Sequence, residues 1–258
     1  MTLPVCHSLW TGDGLPPLLA ACLESFVRQG HQVVLHAYRN IAAPSGIEVR
    51  DASFTLPLKP VGVHLGHGAM ATFSDWFRYE LLERIDGIWI DADLVCIRPI
   101  EFGQPYLFGY ESRAYIGNAV LRLPAGSALL QHLRRQFVSQ GFIPPWFGPV
   151  RRYRYSVKRL FGAHQDISTL PHGSTGPRAL TWYAAVEGVS RYALAIDVFY
   201  PLHFVECDRA FDADFEVASV ITPRTLCIHL WHNSLVHREP HPRSLVGRML
   251  ARDFDSLR

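Results

Sequence analysis

The sequence is short of several things, and each shortage removes a class of protein. No stretch of about 18 apolar residues runs without a charge, so no transmembrane helix is expected. Net charge is small: 25 Lys and Arg stand against 23 Asp and Glu, for +2 overall. At the whole-chain level that balance gives no ground for nucleic-acid binding. Cysteine is scarce. Cys6, Cys22, Cys96, Cys207 and Cys227 are odd in number, far apart and free of C-x-x-C spacing. A small disulfide scaffold is thereby excluded, and a reducing compartment fits. Lysine is nearly absent, with Lys59 and Lys158 against 23 arginines. A GC-rich genome accounts for that bias, so it carries no functional weight. The opening Met1–Gly14 lacks a basic n-region and an apolar h-region. The expectation is a cytoplasmic protein without a signal peptide.

What is present suits a sizeable core. The 258 residues are 48% apolar and 12% aromatic, which excludes overall disorder. One domain over residues 1–258 is expected. Strand-like and helix-like segments alternate in the first half. Val5–Trp10 reads as a strand and Pro16–Gln29 as a helix, with Leu15, Leu18, Leu19, Cys22 and Phe26 at 3-4 spacing. His31–Tyr38 and Ile47–Phe54 read as strands. Thr72–Asp86 reads as a helix with Phe73, Phe77, Leu81 and Ile85 on one stripe, and Ile88–Ile97 as one buried strand. Further on, Tyr106–Glu111, Asn118–Leu123, Ala193–Tyr200 and Leu226–Trp231 read as strands, and Gly126–Gln140 and Gly176–Gly188 as helices. Gly141–Ser174, rich in Pro, Gly and Arg, reads as a long variable loop. Strand–helix–strand alternation predicts an α/β fold with a mainly parallel central sheet.

Three D-x-D triplets occur: Asp91/Asp93, Asp212/Asp214 and Asp253/Asp255. Only the first follows an apolar strand. That context delivers both carboxylates to the C-terminal edge of a parallel sheet, where open α/β sheets bind ligands. Two carboxylates there are costly unless a cation or donor satisfies them. A hard divalent ion shared with substrate phosphates does so with few protein ligands. Upstream, Asp75 reads as lying near a helix N-terminus, with Arg78 three residues on and on nearly the same face.

Ser74-Asp75-x-x-Arg78-Tyr79 followed by Trp89-x-Asp91-x-Asp93 resembles the sugar-binding DXD region of glycosyltransferase family 32. That family is related to yeast α-1,6-mannosyltransferases, globotriaosylceramide synthase and the clostridial glucosylating toxins. Cys6-His7-Ser8-Leu9-Trp10-Thr11-Gly12 is similar to the family's opening strand. Gly117-Asn118-Ala119-Val120 is similar to its N-A element, Gly176-Pro177 to its G-P helix start, and His229-Leu230-Trp231-His232 to its C-terminal H-x-W element. The likeness spans roughly residues 5–123 and 170–235. It departs after His232, where Asn233-Ser234-Leu235 replaces the usual S-W.

The resemblance implies a GT-A-type, Rossmann-like nucleotide-sugar fold. It implies a retaining transferase that moves a hexose from a UDP- or GDP-sugar to a glycan or lipid-linked acceptor, with Mn²⁺ or Mg²⁺. Carried over, Asp91 and Asp93 bind the metal and the donor. Asp75 and Arg78 hold the sugar and ribose–phosphate side. Trp10 stacks near the base, Trp89 and Asn118 line the donor site, and His229 or His232 adds a metal or phosphate contact. A bound divalent ion neutralises a diphosphate leaving group.

Two other readings stand beside this one. Asp91-x-Asp93-x-Val95 also fits the first motif of haloacid-dehalogenase-type phosphatases. That class needs a later Lys, for which only Lys158 is available, and a later acidic pair, for which Asp208 and Asp212 are poor candidates. The other reading is a catalytically silent nucleotide-sugar-binding relative. Separately, Arg151–Arg159 places five basic residues in nine without an acid. That segment suits an anionic acceptor or a peripheral membrane contact. His64-Leu-Gly-His67 has H-x-x-H spacing but no partner motif, and reads as a loop.

Overall fold

The computed structural model describes residues 3–58, 67–139, 141–161, 166–232 and 238–255. The chain begins with β1 (Cys6–Trp10), α1 (Pro17–Arg28), β2 (Val33–Ala37) and β3 (Ile47–Asp51). Pro17 fills the first turn of α1, where its missing N–H costs nothing. Gly30, at φ +89°, takes the left-handed turn that leads into β2. Helix α2 (His67–Leu82) then crosses to β4 (Ile88–Ile90), β5 (Leu94–Cys96), β6 (Leu107–Tyr110) and β7 (Ile116–Arg122). Helices α3 (Ala128–Val138), α4 (Pro149–Leu160), α5 (Pro177–Val186) and α6 (Ile196–Phe199) precede β8 (Cys227–His229) and α7 (Leu245–Leu250).

Six strands form the main sheet in the order β3-β2-β1-β4-β7-β6. The first four are parallel, β7 runs antiparallel to β4, and β6 runs antiparallel to β7. The fold is therefore α/β with a mainly parallel sheet. Strand side chains alternate between its faces. Ile88 and Ile90 join Leu23, Phe26, Leu35 and Phe199 on the side of α1. Trp89 joins Phe77, Leu81, Leu121, Leu133 and Leu180 on the side of α2, α3 and α5. Phe77, Leu133 and Leu180 have no exposed area at all. On the α1 side Leu23, Phe26 and Phe199 are as fully enclosed, and burying each such side chain is worth about 1.5–3 kcal/mol, so the sheet is clamped from both faces.

The topology has one switch point. From β1 the chain moves outward through β2 and β3, then returns over α2 to β4 on β1's other side. The carboxyl ends of β1 and β4 thus open a crevice between diverging connections, the place where such sheets take ligands.

Four expectations need correction. Ile88–Ile97 is two strands, not one. Asp91 follows β4, with its N–H on the Ala119 carbonyl at 2.8 Å, and the chain turns before β5 pairs with β8 in a separate two-stranded sheet. Ala193–Tyr200 is no strand: Leu194 makes one bridge to Gly109, and α6 follows. Helix α2 begins at His67, so Asp75 lies in its third turn and gains nothing from the helix N-terminus. Within Gly141–Ser174, residues Pro149–Leu160 form a helix. His64 and Asn233-Ser234-Leu235 lie outside the described residues. Among those described, no helix is long and apolar enough to cross a membrane.

Candidate active site

A cleft of about 820 Å³ opens at the switch point, lined by Trp10 from the end of β1, Asp91 and Asp93 after β4, and Asn118 from β7. That volume suits a ligand of several ring units.

Arg78 organises its floor. The guanidinium is buried, and Nη1 donates to the Asn118 carbonyl at 2.6 Å. The same nitrogen lies 3.1 Å from Asp91 Oδ1, and Nη2 lies 3.6 Å from Asp75 Oδ1. Nη2 also donates to Ser74 Oγ at 3.0 Å, and the group sits 4.8 Å over the Trp89 ring. A planar fork with fixed donors can serve these partners at once; an ammonium cannot. Burial alone would make this cation easier to deprotonate, but Asp91 and Asp75 more than restore it, so its affinity for the proton is raised.

Asp75 is equally enclosed. Its Oδ1 accepts from Asn118 Nδ2 at 2.8 Å, and its Oδ2 accepts from Thr175 Oγ1 at 2.7 Å. Burial pushes its carboxyl upward, while Arg78 and these two donors pull it back. Gly176 explains the Gly-Pro helix start. A Cβ there would lie 2.7 Å from Asn118 Nδ2 and 2.9 Å from Asp75 Oδ2, so only glycine lets α5 begin so close. Gly117 explains the next motif. A Cβ on it would meet the Tyr200 hydroxyl at 2.5 Å. That hydroxyl accepts the Ala119 N–H at 3.0 Å and fixes the strand that presents Asn118.

Asp91 and Asp93 face different partners. Asp91 Oδ1 accepts from the Trp89 indole at 2.7 Å as well as meeting Arg78. Asp93 Oδ1 lies 3.1 Å from His229 Nε2, and its Oδ2 accepts the His232 N–H at 2.9 Å. The β5–β8 ladder sets this contact, because Leu94 pairs with His229 in register. Trp231 between the two histidines has φ +55°, a left-handed conformation uncommon outside glycine. Holding a bulky residue there costs about 1–3 kcal/mol, and the turn it makes aims the His232 amide at Asp93. Burial opposes charge on both members of the Asp93–His229 pair. Their mutual attraction prevails, holding the Asp93 carboxyl down to about 2 and the imidazole above its ordinary value.

These three side chains meet a test for a cation. Donor atoms of Asp91, Asp93 and His229 lie within 4.8 Å of one another. Two carboxylates and an imidazole suit Mn²⁺, and the carboxylates alone suit Mg²⁺. His229 Nδ1 is buried with no hydrogen-bond partner, so this imidazole is not fully used by the protein. His232 lines the cleft and offers its backbone N–H to Asp93; its Nδ1 is likewise unpartnered. The structure thus brings together Asp75, Arg78, Trp89, Asp91, Asp93, Asn118, His229 and His232. Trp10 stands at the cleft wall, its indole N–H on the Gly14 carbonyl at 2.8 Å.

Sequence reasoning missed Glu111. It follows β6 and lines the cleft. Burial first, then Asp91 and Asp75, push its carboxyl up to about 7, against the pull of His229. The clue that singled out Asp91, an acid closing an apolar strand, is also present in Leu107-Phe-Gly-Tyr-Glu111. Thr175 was missed as well, since nothing local marks a threonine that will bind a carboxylate 100 residues away.

No family model matches the chain, and no curated protein matches it. Among solved structures it is similar to one titled "PaToxG Glycosyltransferase", at 12% identity and a TM-score of 0.45, over 73% of this chain and 71% of that one. At that distance the activity has to be argued from the site itself.

Proposed function

We propose that this chain is a metal-dependent, GT-A-type glycosyltransferase that moves a hexose from a UDP- or GDP-sugar to a glycan or lipid-linked acceptor. One observation carries the reading: the Arg78 clamp on Asp75, Asp91 and Asn118 joins the Asp91–Asp93–His229 cluster in one cleft at the switch point. Mn²⁺ or Mg²⁺, held by Asp91 and Asp93 with His229 beside them, would supply Lewis-acid neutralisation of a diphosphate leaving group.

The chain's own residues do the rest. Arg78 fixes the Asp91 carboxylate so that one oxygen is committed to the protein and the other is left for ligands. The His232 amide and His229 hold Asp93 in one rotamer, which removes the entropy cost of ordering it on binding. Asp75, with its oxygens taken by Asn118 and Thr175, is a positioning residue for the Asn118 side chain. Trp10 offers an aromatic face at the wall for a base. Retention of anomeric configuration is part of the proposal because the family resemblance implies it.

The phosphatase alternative finds less support. Lys158 is exposed on α4, and Asp208 and Asp212 are both paired with Arg238. Asp91, the would-be nucleophile, is tied to Arg78.

Calorimetric titration with UDP- and GDP-hexoses, with and without Mn²⁺, tests the proposal. Metal-dependent donor binding or hydrolysis is expected, and Asp93→Asn should abolish it in a folded protein. No metal-linked binding of any donor, or hydrolysis of a phosphate monoester instead, would overturn it. Silent binding without turnover would favour the non-catalytic relative.

A further inference from the structure

Helix α4 is built unlike its neighbours. None of its 12 residues is buried. It touches the body through Phe147, which meets the Tyr155 ring at 5.8 Å and the Arg151 guanidinium at 4.9 Å. At about 100° per residue, Arg151 and Tyr155 share one side of the helix. Val150, Tyr153, Val157 and Leu160 fall within an arc of about 80° on the other side, and Phe161 extends the stripe past the C-terminus. Most of that stripe points to solvent: Val150 is 73% exposed, Tyr153 70%, Leu160 83% and Phe161 84%, with Val157 half-buried between them.

The charges frame the stripe. Arg154 and Lys158 lie on one flank, and Arg152 and Arg159 lie toward the other. Pro149–Leu160 contains no acid. Among the described residues, none of the five basic side chains makes a salt bridge. Like charges three and four apart weaken an isolated helix, and 12 residues are too few to be stable alone in water. The segment therefore calls for a surface that is both negative and apolar beneath. A nucleic acid meets the charge and leaves the stripe wet. An anionic bilayer meets both, and long basic side chains can reach its phosphates while apolar ones enter the acyl boundary.

We propose that α4 docks this protein on anionic membrane surfaces, with Val150, Tyr153, Val157, Leu160 and Phe161 entering the headgroup boundary and the flanking arginines and Lys158 on lipid phosphates. The proposal is independent of the assigned activity, because none of these residues lines the cleft.

Sedimentation of the whole chain with vesicles tests it, comparing pure phosphatidylcholine with phosphatidylcholine–phosphatidylserine mixtures. Binding to the anionic vesicles alone is expected, weakening as salt rises. Leu160→Ser with Phe161→Ser should lower the partition coefficient at least tenfold. Arg152→Glu should do so about fivefold or more, since each basic residue near an anionic surface contributes about that factor. Both variants should keep the wild-type Tm and donor affinity. Equal binding to neutral vesicles, or no binding at low salt, overturns the proposal. So does a concentration-dependent dimer in sedimentation equilibrium that Leu160→Ser dissolves, which would make the stripe a contact between copies.

Discussion

Replacing Glu111 by Gln gives the sharpest test of the cleft's electrostatics. The side chain keeps its size and loses its ability to ionise. In the folded chain this carboxyl releases its proton near pH 7, against an ordinary value of 4.5. Because the folded value is the higher, the unfolded chain ionises first as pH rises. The contribution to stability is fully present below about pH 4.5 and is lost as pH climbs through 7. The interval of about 2.5 pH units, at about 1.4 kcal/mol each, sets a ceiling of about 3.5 kcal/mol. Water at the cleft mouth screens part of this, so a change of about 2 kcal/mol is the amount to seek. Urea unfolding in the presence of EDTA, at pH 5 and pH 8, measures it. Wild type and Glu111→Gln should differ little at pH 5. By pH 8 the variant should be the more stable by about 2 kcal/mol. Parallel pH profiles for the two proteins would show that Glu111 is not held up by its surroundings, and the charge balance described for the cleft would fail with it.

Other perturbations test neighbouring parts. Arg78→Met leaves Asp75 and Asp91 without their shared cation and should cost about 3–5 kcal/mol in urea unfolding; Arg78→Lys should recover little of it. Gly117→Ala forces a methyl against the Tyr200 hydroxyl and should cost about 1–3 kcal/mol, read as a lowered Tm with weakened donor binding. Ser25→Ala removes the acceptor of the Cys96 N–H, a 2.8 Å bond between α1 and β5. A buried donor left unpaired should cost about 1–3 kcal/mol, with no change in pH dependence.

The sequence exposed some of this architecture more readily than the rest. Strands β1, β2 and β7 and helices α1, α3 and α5 follow from apolar period and from Pro and Gly punctuation, both local signals. Asp91 and Asp93 stood out because two acids after an apolar run are conspicuous. The break between β4 and β5 falls at Asp91-Ala-Asp93 itself, and the apolar runs on either side of those acids made one strand of what are two. Helix α2 begins earlier than read because Gly68, which reads as a breaker, is accommodated inside its first turn. Ala193–Tyr200 has strand composition, yet contacts of α6 with β6 and β8 override it, and Val198 and Phe199 are buried as helical neighbours. Helix α4 was hidden by its arginines, although its stripe has helical spacing. Glu111 and Thr175 become visible only when distant segments meet.

The contact between Asp93 and His229 joins positions 136 residues apart. Its consequence is one of timing. A chain leaving the ribosome presents Asp91 and Asp93 long before β8 exists to receive them. Closing so long a loop costs entropy that grows only with the logarithm of its length, so the delay is tolerable in energy. It is decisive for the geometry: the Asp91–Asp93–His229 cluster cannot be complete until β8 has docked on β5. A nascent or C-terminally clipped molecule would carry the two acids and the Arg78 clamp and still lack the third donor. On the proposed function, catalytic readiness would then report that β8 has docked on β5.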